Sequence, residues 1–177
     1  MRIISGKYRG MVLAEFKGES IRPTADRVKE SLFNILYSRI AGARVLDMFC
    51  GSGNLGIECI SRGAEEVHFN DISRDSLTVL RKNLSRIEGN FKITNCDFSG
   101  CMKAGDRYDL IFIDPPYASG AGVEALKLVA EGNHLSEDGV AVFERDRSFE
   151  GKIDGLEKVD ERKYGKTYLT FFKKGER

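Results

Sequence analysis

The sequence predicts a doubly wound α/β sandwich: a largely parallel sheet, helices on both faces, and a basic appendage at the N-terminus. Three observations lead there. From Arg44 onward, short apolar segments alternate with amphipathic ones, the pattern of repeated strand–helix units. Runs such as Asp109-Leu110-Ile111-Phe112-Ile113 show no in–out alternation, so both faces of such a strand are expected to be covered. A glycine-rich turn, Gly51 to Gly56, stands between the first of these strands and the helix after it. At 177 residues, with 41% hydrophobic and 31% charged, the chain suits one compact domain and needs no disulfide or structural metal to hold a core.

The elements follow in order. RIIS and MVLAEF read as two short strands around the basic, glycine-flanked turn GKYRG, a hairpin-like pattern. Thr24 then looks like an N-cap, and Val28, Leu32, Phe33, Ile35, Leu36 and Ile40 form one stripe of an amphipathic helix that Gly42 ends. ARVLDMF is a strand, NLGIECISRG a helix, EVHFND a strand and RDSLTVLRKNLSRI a helix with Leu77, Leu80, Leu84 and Ile87 inward. FKITNC is a strand and DFSGCMKAG a short helix or loop; YDLIFIDPPY is an apolar strand stopped by two prolines. GVEALKLVAEG is a helix, and GVAVFER, EKVDERKY and TYLTFF are the last strands.

Several classes fall away early. No apolar run approaches the ~20 residues a membrane helix needs, and MRIISGKYRG has no signal-peptide core, so a cytoplasmic protein is expected. Cys50, Cys59, Cys96 and Cys101 form no C-x-x-C pair, and only His68 and His134 could add imidazole ligands. Reduced thiols are expected, and no metal site.

The formal net charge of +1 speaks against binding nucleic acid by bulk positive charge, but it averages two unlike parts. The first 44 residues hold nine basic and four acidic residues, and the remaining 133 hold 19 basic and 23 acidic. A basic arm (1–43) therefore precedes a mildly acidic body (44–177).

Gly51-Ser52-Gly53-Asn54-Leu55-Gly56 is a G-x-G-x-x-G, whose glycines allow a tight turn and close approach of a ligand to the backbone. Asp71, twenty residues after Gly51 at the end of the next strand, is placed to accept both hydroxyls of a ribose. Asp47, four residues before Gly51, decides between two ligands. A carboxylate there would repel a pyrophosphate but attract the sulfonium or ammonium of S-adenosylmethionine, directly or through water. Asp97, after the third strand, could accept from an adenine amino group or cap a helix.

Asp114-Pro115-Pro116-Tyr117 ends the fourth strand, where an open α/β sheet places its active site. An exocyclic base amine is a poor nucleophile because its lone pair is delocalised into the ring. If the Asp114 carboxylate and the Pro115 carbonyl accept its two N–H bonds, the nitrogen can pyramidalise toward a methyl group. Pro116 stiffens the turn, and Tyr117 can stack on a base taken out of its helix.

LDMFCGSGNLGIECISRGA, DPPY and RPTADRVKESLFNIL together resemble the RsmD-like family of bacterial 16S ribosomal RNA guanine-N2 methyltransferases. The resemblance runs from Arg2 to about Phe172. It implies a Rossmann-like methyltransferase core with seven strands, S-adenosylmethionine as donor, and a guanosine of the small ribosomal subunit or its assembly intermediate as acceptor. Asp47, Gly51, Gly53, Asp71 and Asp97 match the family's cofactor positions, with Phe49, Ser52, Ile72 and Phe98 beside them, and Asp114 to Tyr117 match its catalytic element. Two departures stand out. Asp71 occupies a position often held by Glu, with Ser73 where a second acid often lies, and Tyr8 replaces a frequent indole.

Lys7-Tyr8-Arg9 suits phosphate contact plus stacking on an unpaired base, and Arg22, Thr24 and Arg27 gather at a helix N-terminus that favours phosphate but could equally shape the lip of the active site. KYGKT near the C-terminus also resembles a family segment, without a role that its chemistry reveals. An adenine-N6 methyltransferase is the nearest rival, since DPPY serves both. A nicotinamide-dependent oxidoreductase is disfavoured by Asp47 and DPPY, and a non-catalytic RNA-binding factor by the intact DPPY. A monomer is expected.

Overall fold

The computed structural model describes residues 1–15, 23–116 and 120–175. Four α-helices, α1 (Pro23–Ile35), α2 (Asn54–Ser61), α3 (Arg74–Leu84) and α4 (Ala121–Glu131), accompany seven strands. The strands are β1 (Arg44–Asp47), β2 (Glu66–Asn70), β3 (Phe91–Thr94), β4 (Tyr108–Ile113), β5 (Leu135–Arg145), β6 (Leu156–Tyr164) and β7 (Thr167–Lys174). They form one sheet in the order β3-β2-β1-β4-β5-β7-β6. Strands β1 to β5 pair in parallel and β7 runs antiparallel to both neighbours. This is the largely parallel, seven-stranded sheet expected, with its strand order reversing between β1 and β4.

Both faces are covered, as the unalternating apolar strands require. On one face Val45, Val67, Leu110 and Val142 pack with Ile57 and Leu80 of α2 and α3 and with Val28, Leu32, Phe33, Leu36 and Ile40 from α1 and the turn after it. Leu46, Ile111, Ala141 and Phe172 face the other way, onto Ala125, Leu126 and Val129 of α4.

Three expectations about the arm change. The two strands of the hairpin reduce to a single bridge between Arg2 and Val12. Ile4 and Ser5 instead give their amide hydrogens to Glu58 on α2, and Lys7 and Tyr8 give theirs to Ser61. Helix α1 begins at Pro23, so Thr24 lies within its first turn instead of before it. It also stops at Ile35, and a short 3-10 turn, Tyr37–Arg39, leads to Gly42, whose φ of 73° ends the segment. Ile35 is 41% exposed and leaves the stripe. Ile87 is buried beyond the end of α3.

Candidate active site

Parallel strands bring their carboxyl ends, and the loops that follow them, to one edge of the sheet. Asp47 ends β1 in register with Phe112 of β4, and the Met48 amide donates to the Phe112 carbonyl. The turn after β1 therefore lies beside the residues Asp114-Pro115-Pro116 that follow β4. Gly51 (φ 51°) and Gly53 (φ 88°) occupy left-handed conformations in that turn. A Cβ on Gly51 would meet nothing within 4 Å, so its outer side is open to a ligand. One on Gly56 would come within 2.3 Å of the Phe69 ring, so this glycine lets α2 lie close against β2.

Asp71 meets the turn directly. Its Oδ2 accepts from the Gly51 amide at 2.8 Å and its Oδ1 from the Ser73 amide at 2.8 Å. Each oxygen keeps one acceptor site for a hydroxyl. Beside it Ile72 is 70% exposed, an apolar side chain turned outward where a flat ring could lie. Phe49 and Phe98 lie with ring centroids 5.5 Å apart and planes tilted by 40°, and the carbonyl of buried Ser52 accepts from the Asn83 side-chain amide. Asp97 caps the 3-10 turn Phe98–Gly100, with Oδ1 accepting from both the amide and hydroxyl of Ser99. Those bonds hold its carboxyl below the usual range. The residue is exposed, so an adenine contact would share the carboxylate with this cap.

Asp47 is only 2% exposed, and its Oδ2 accepts from the Gly56 amide at 2.9 Å in the first turn of α2. It braces the glycine turn from beneath. Burial pushes its carboxyl up to about 7; the Gly56 amide opposes this and the Asp71 charge adds to it. A carboxyl raised from 3.8 stays protonated in the folded chain after the unfolded chain has ionised, so it lowers stability progressively from about pH 4 to pH 7. Asp47→Asn keeps an acceptor for Gly56 and removes this titration. Urea midpoints should accordingly fall less over that window than in the parent protein; an identical slope would show that Asp47 is not the titrating group.

The glycine turn and Asp71 thus offer an open backbone face and unused acceptors flanked by an exposed apolar side chain. That chemistry fits S-adenosylmethionine. Pro115 is buried and Pro116 exposed. Tyr117 and Arg22 lie outside the described residues, as does Phe16 of the second expected strand.

The arm's cations separate. Lys7 pairs with Glu88 at 2.7 Å, and the Tyr8 hydroxyl donates to the Glu88 carbonyl and accepts from its amide. Ser61 ends α2 and Glu88 precedes β3, so this tip sits at the end of the sheet opposite Asp114. Contact between Lys7, Tyr8 or Arg9 and the target base is therefore not available in this arrangement. Helix α1 runs the other way: Lys29 in its middle reaches Asn54 at the start of α2, and its far end leads into β1. Its first turn, with Thr24 and the exposed Arg27, lies toward the carboxyl edge.

Sequence reasoning missed Glu58. This fully buried carboxylate accepts from the Ile4 and Ser5 amides, Lys29 Nζ and Arg62 Nε at 2.8–3.0 Å. It ties the arm, α1 and α2 together beneath the glycine turn. Its only sequence signal is the i, i+4 spacing to Arg62, which ordinarily marks an exposed pair. His68, also buried, bonds the Tyr108 and Thr94 hydroxyls, and burial followed by the Lys92 charge lowers it to about 4, so it is neutral and structural. Burial also raises the Cys50, Cys59 and Cys101 thiols, leaving them protonated and unreactive.

Residues 1–173 match the family described as Conserved hypothetical protein 95. YlbH of Bacillus subtilis is 36% identical over 182 residues, covering 98% of this chain and 99% of its own. The Haemophilus influenzae protein named Ribosomal RNA small subunit methyltransferase D is 34% identical over 153 residues, covering 83% of this chain and 79% of its own. Among solved structures, the Escherichia coli protein yhhF superposes with a TM-score of 0.90 at 29% identity, covering 100% of this chain and 99% of that one. With the fold and nearly the whole length in agreement, the chain belongs to the Conserved hypothetical protein 95 family, the RsmD-like methyltransferases that its motifs resemble.

Proposed function

We propose that this protein uses S-adenosylmethionine to methylate the exocyclic N2 amine of one guanosine in 16S ribosomal RNA, acting as a cytoplasmic monomer on the small subunit or its assembly intermediate. The observation that carries this is the meeting, at one edge of the sheet, of the Gly51–Gly56 turn, Asp71 and Asp114-Pro115-Pro116. They meet in a chain similar to a small-subunit RNA methyltransferase from Haemophilus influenzae.

When bound, the cofactor supplies an electrophilic methyl group on a sulfonium. The chain's residues do the rest. Gly51, Ser52 and Gly53 present backbone to it, Asp71 holds its ribose hydroxyls, and Ile72, Phe49 and Phe98 supply apolar surface around its base with Asp97 at the rim. Asp47 keeps the turn in shape. The Asp114 carboxylate and the Pro115 carbonyl accept the two N–H bonds of the guanine amine, aim its lone pair, and stabilise the positive charge that grows on nitrogen. Pro116 holds the turn rigid and Tyr117 stacks on the extruded base. Arg27 contacts phosphate at the near edge, and Arg22 and Thr24 are assigned the same role from the sequence alone. Lys7, Tyr8 and Arg9 are left to touch a remote RNA segment.

The donor and the acceptor class are tested together. Calorimetry should give one S-adenosylmethionine site per chain. Methyl label from it should enter small-subunit RNA, as naked RNA or particle, and not duplex DNA. Label in DNA alone would favour the adenine-N6 reading, and no cofactor binding would remove the enzyme assignment.

A further inference from the structure

The acidic total of the body conceals a basic groove. An open cavity of about 600 Å³ lies between α4 and the loop after β5, lined by Val123, Lys127, Arg145, Arg147, Phe149 and Lys152, with Glu150 as the only acid among its lining residues. Arg147 and Lys152 meet Asp146 and Asp154 only at 3.9 and 3.6 Å, at exposed positions. Such pairs are weak and open readily to a phosphate.

The groove adjoins the proposed catalytic turn. Strand β5 runs parallel to β4 with Phe143 opposite Ile113 and continues to Arg145, past the end of β4 and toward the side where Asp114-Pro115-Pro116 begin. Gly122 of α4 packs so tightly between Pro115 and Phe143 that a Cβ there would come within 3.0 and 2.3 Å of them. Its neighbour Val123 already lines the groove. The Arg145 guanidinium lies over the Phe143 and Phe149 rings, 5.2 and 5.7 Å from their centroids, which fixes its position while keeping its charge.

The outer wall is held in place as well. Glu161 of β6 accepts from the Ser148 hydroxyl, the Phe149 amide and the Thr170 hydroxyl, and Lys158 donates to the Phe149 carbonyl. Arg145 pairs with Tyr168 on β7, which brings the β6–β7 turn to this same edge. That turn is Lys163-Tyr164-Gly165-Lys166-Thr167, the KYGKT segment, and it carries two more cations at this edge of the sheet.

We propose that this groove binds the phosphodiester backbone of the RNA strand that carries the target base, with Arg145 next to the reacting nucleotide and Lys127, Arg147 and Lys152 along the flanking phosphates. The proposal rests on the RNA-methyltransferase reading and deepens it. A preformed, positively charged wall beside the catalytic turn is what a single-stranded RNA loop needs to be held while one base is turned inward. It also supplies, at the reacting edge, the grip that the hairpin tip at the other end does not.

The test is a Lys127→Glu, Arg147→Glu, Lys152→Glu triple variant of the full chain, compared with Lys7→Glu, Arg9→Glu. Binding to naked 16S RNA is followed by anisotropy over a salt series. The groove variant should lose about tenfold or more in affinity, and its log–log salt slope should flatten by about 2, from ~0.7 per lost contact to single-stranded RNA. KM for RNA should rise with kcat at saturating RNA within about twofold, while S-adenosylmethionine affinity and the thermal midpoint stay unchanged. The tip variant should move the slope and KM less. Unchanged slope and KM in the groove variant would overturn the proposal. So would equal loss of RNA and duplex-DNA binding without a change in KM, which would mark a general polyanion patch. A parent protein that methylates no RNA would fail the underlying function, a result visible before any variant is compared.

Discussion

Asp114→Ala should reduce methyl transfer by on the order of 10³-fold in single-turnover assays, while S-adenosylmethionine should bind within about threefold of the parent affinity. The separation follows from the geometry. Asp114 begins the turn that follows β4, and the residues proposed to hold the cofactor come from the β1 turn and the segments after β2 and β3. In the proposed mechanism, losing the carboxylate would remove an acceptor that orients the amine and a negative charge beside the nitrogen where positive charge develops, and neither is proposed to hold the cofactor. Asp114→Asn keeps an acceptor oxygen without the charge and should fall between the parent and the alanine variant. Equal activity in Ala and parent would remove Asp114 from the mechanism. Lost cofactor binding in Ala would mean that the turn after β4 shapes the cofactor site instead.

The second large effect is on stability. Glu58→Ala should cost about 3–5 kcal/mol in urea unfolding, the range for breaking a buried pair by removing one partner. Lys29, 3% exposed, would keep its charge without its carboxylate, and the amide hydrogens of Ile4 and Ser5 would lose their acceptors. Replacing both members, as Lys29→Met with Glu58→Leu, should cost less than Glu58→Ala alone, because the buried Lys29 charge goes with its carboxylate and only Arg62, 10% exposed, loses a partner. Hydrogen exchange should report the same event locally, with faster exchange at Ile4 and Ser5. Burial works against the Glu58 charge, but Lys29, the Ile4 amide and Arg62 outweigh it, so its carboxyl lies below the ordinary 4.5. A carboxyl lowered on folding stabilises above the unfolded value and loses that contribution as pH falls through the folded one. The parent protein should therefore weaken in acid more steeply than the double variant. A loss below about 1 kcal/mol in Glu58→Ala would show that the arm is held by its apolar contacts alone.

How much of this was legible in the sequence depended on the range of the interaction. The apolar run before Asp114 and the regular strand–helix alternation led to the right sheet, because both-sided burial is written locally in residues 108–113. The proximity of Gly51 to Asp71 was equally legible, since the spacing spans one helix and one strand. The hairpin was not. Its pattern suggested two strands, but the amide hydrogens of Ile4 and Ser5 go to Glu58, more than fifty residues away. The same limit applies to Lys7 and Tyr8. They read as an exposed nucleic-acid motif, and Glu88, eighty residues on, fixes them at the far end of the sheet. Asp97 was ambiguous in sequence because a cap and a ligand contact need the same carboxylate, and the Ser99 bonds supply the cap. The basic groove was invisible for a different reason. Its cations come from α4, the end of β5 and the following loop, and summed over the body they vanish into an acidic excess.

The central claim, guanine-N2 methylation of small-subunit RNA, is tested most directly by identifying the product. Small subunits and naked 16S RNA lacking the modification are incubated with the protein and methyl-labelled S-adenosylmethionine, digested to nucleosides and separated. The account predicts a single labelled nucleoside, N2-methylguanosine, at no more than one per RNA molecule. Label in N6-methyladenosine, or none in RNA under conditions where the cofactor binds, would contradict it.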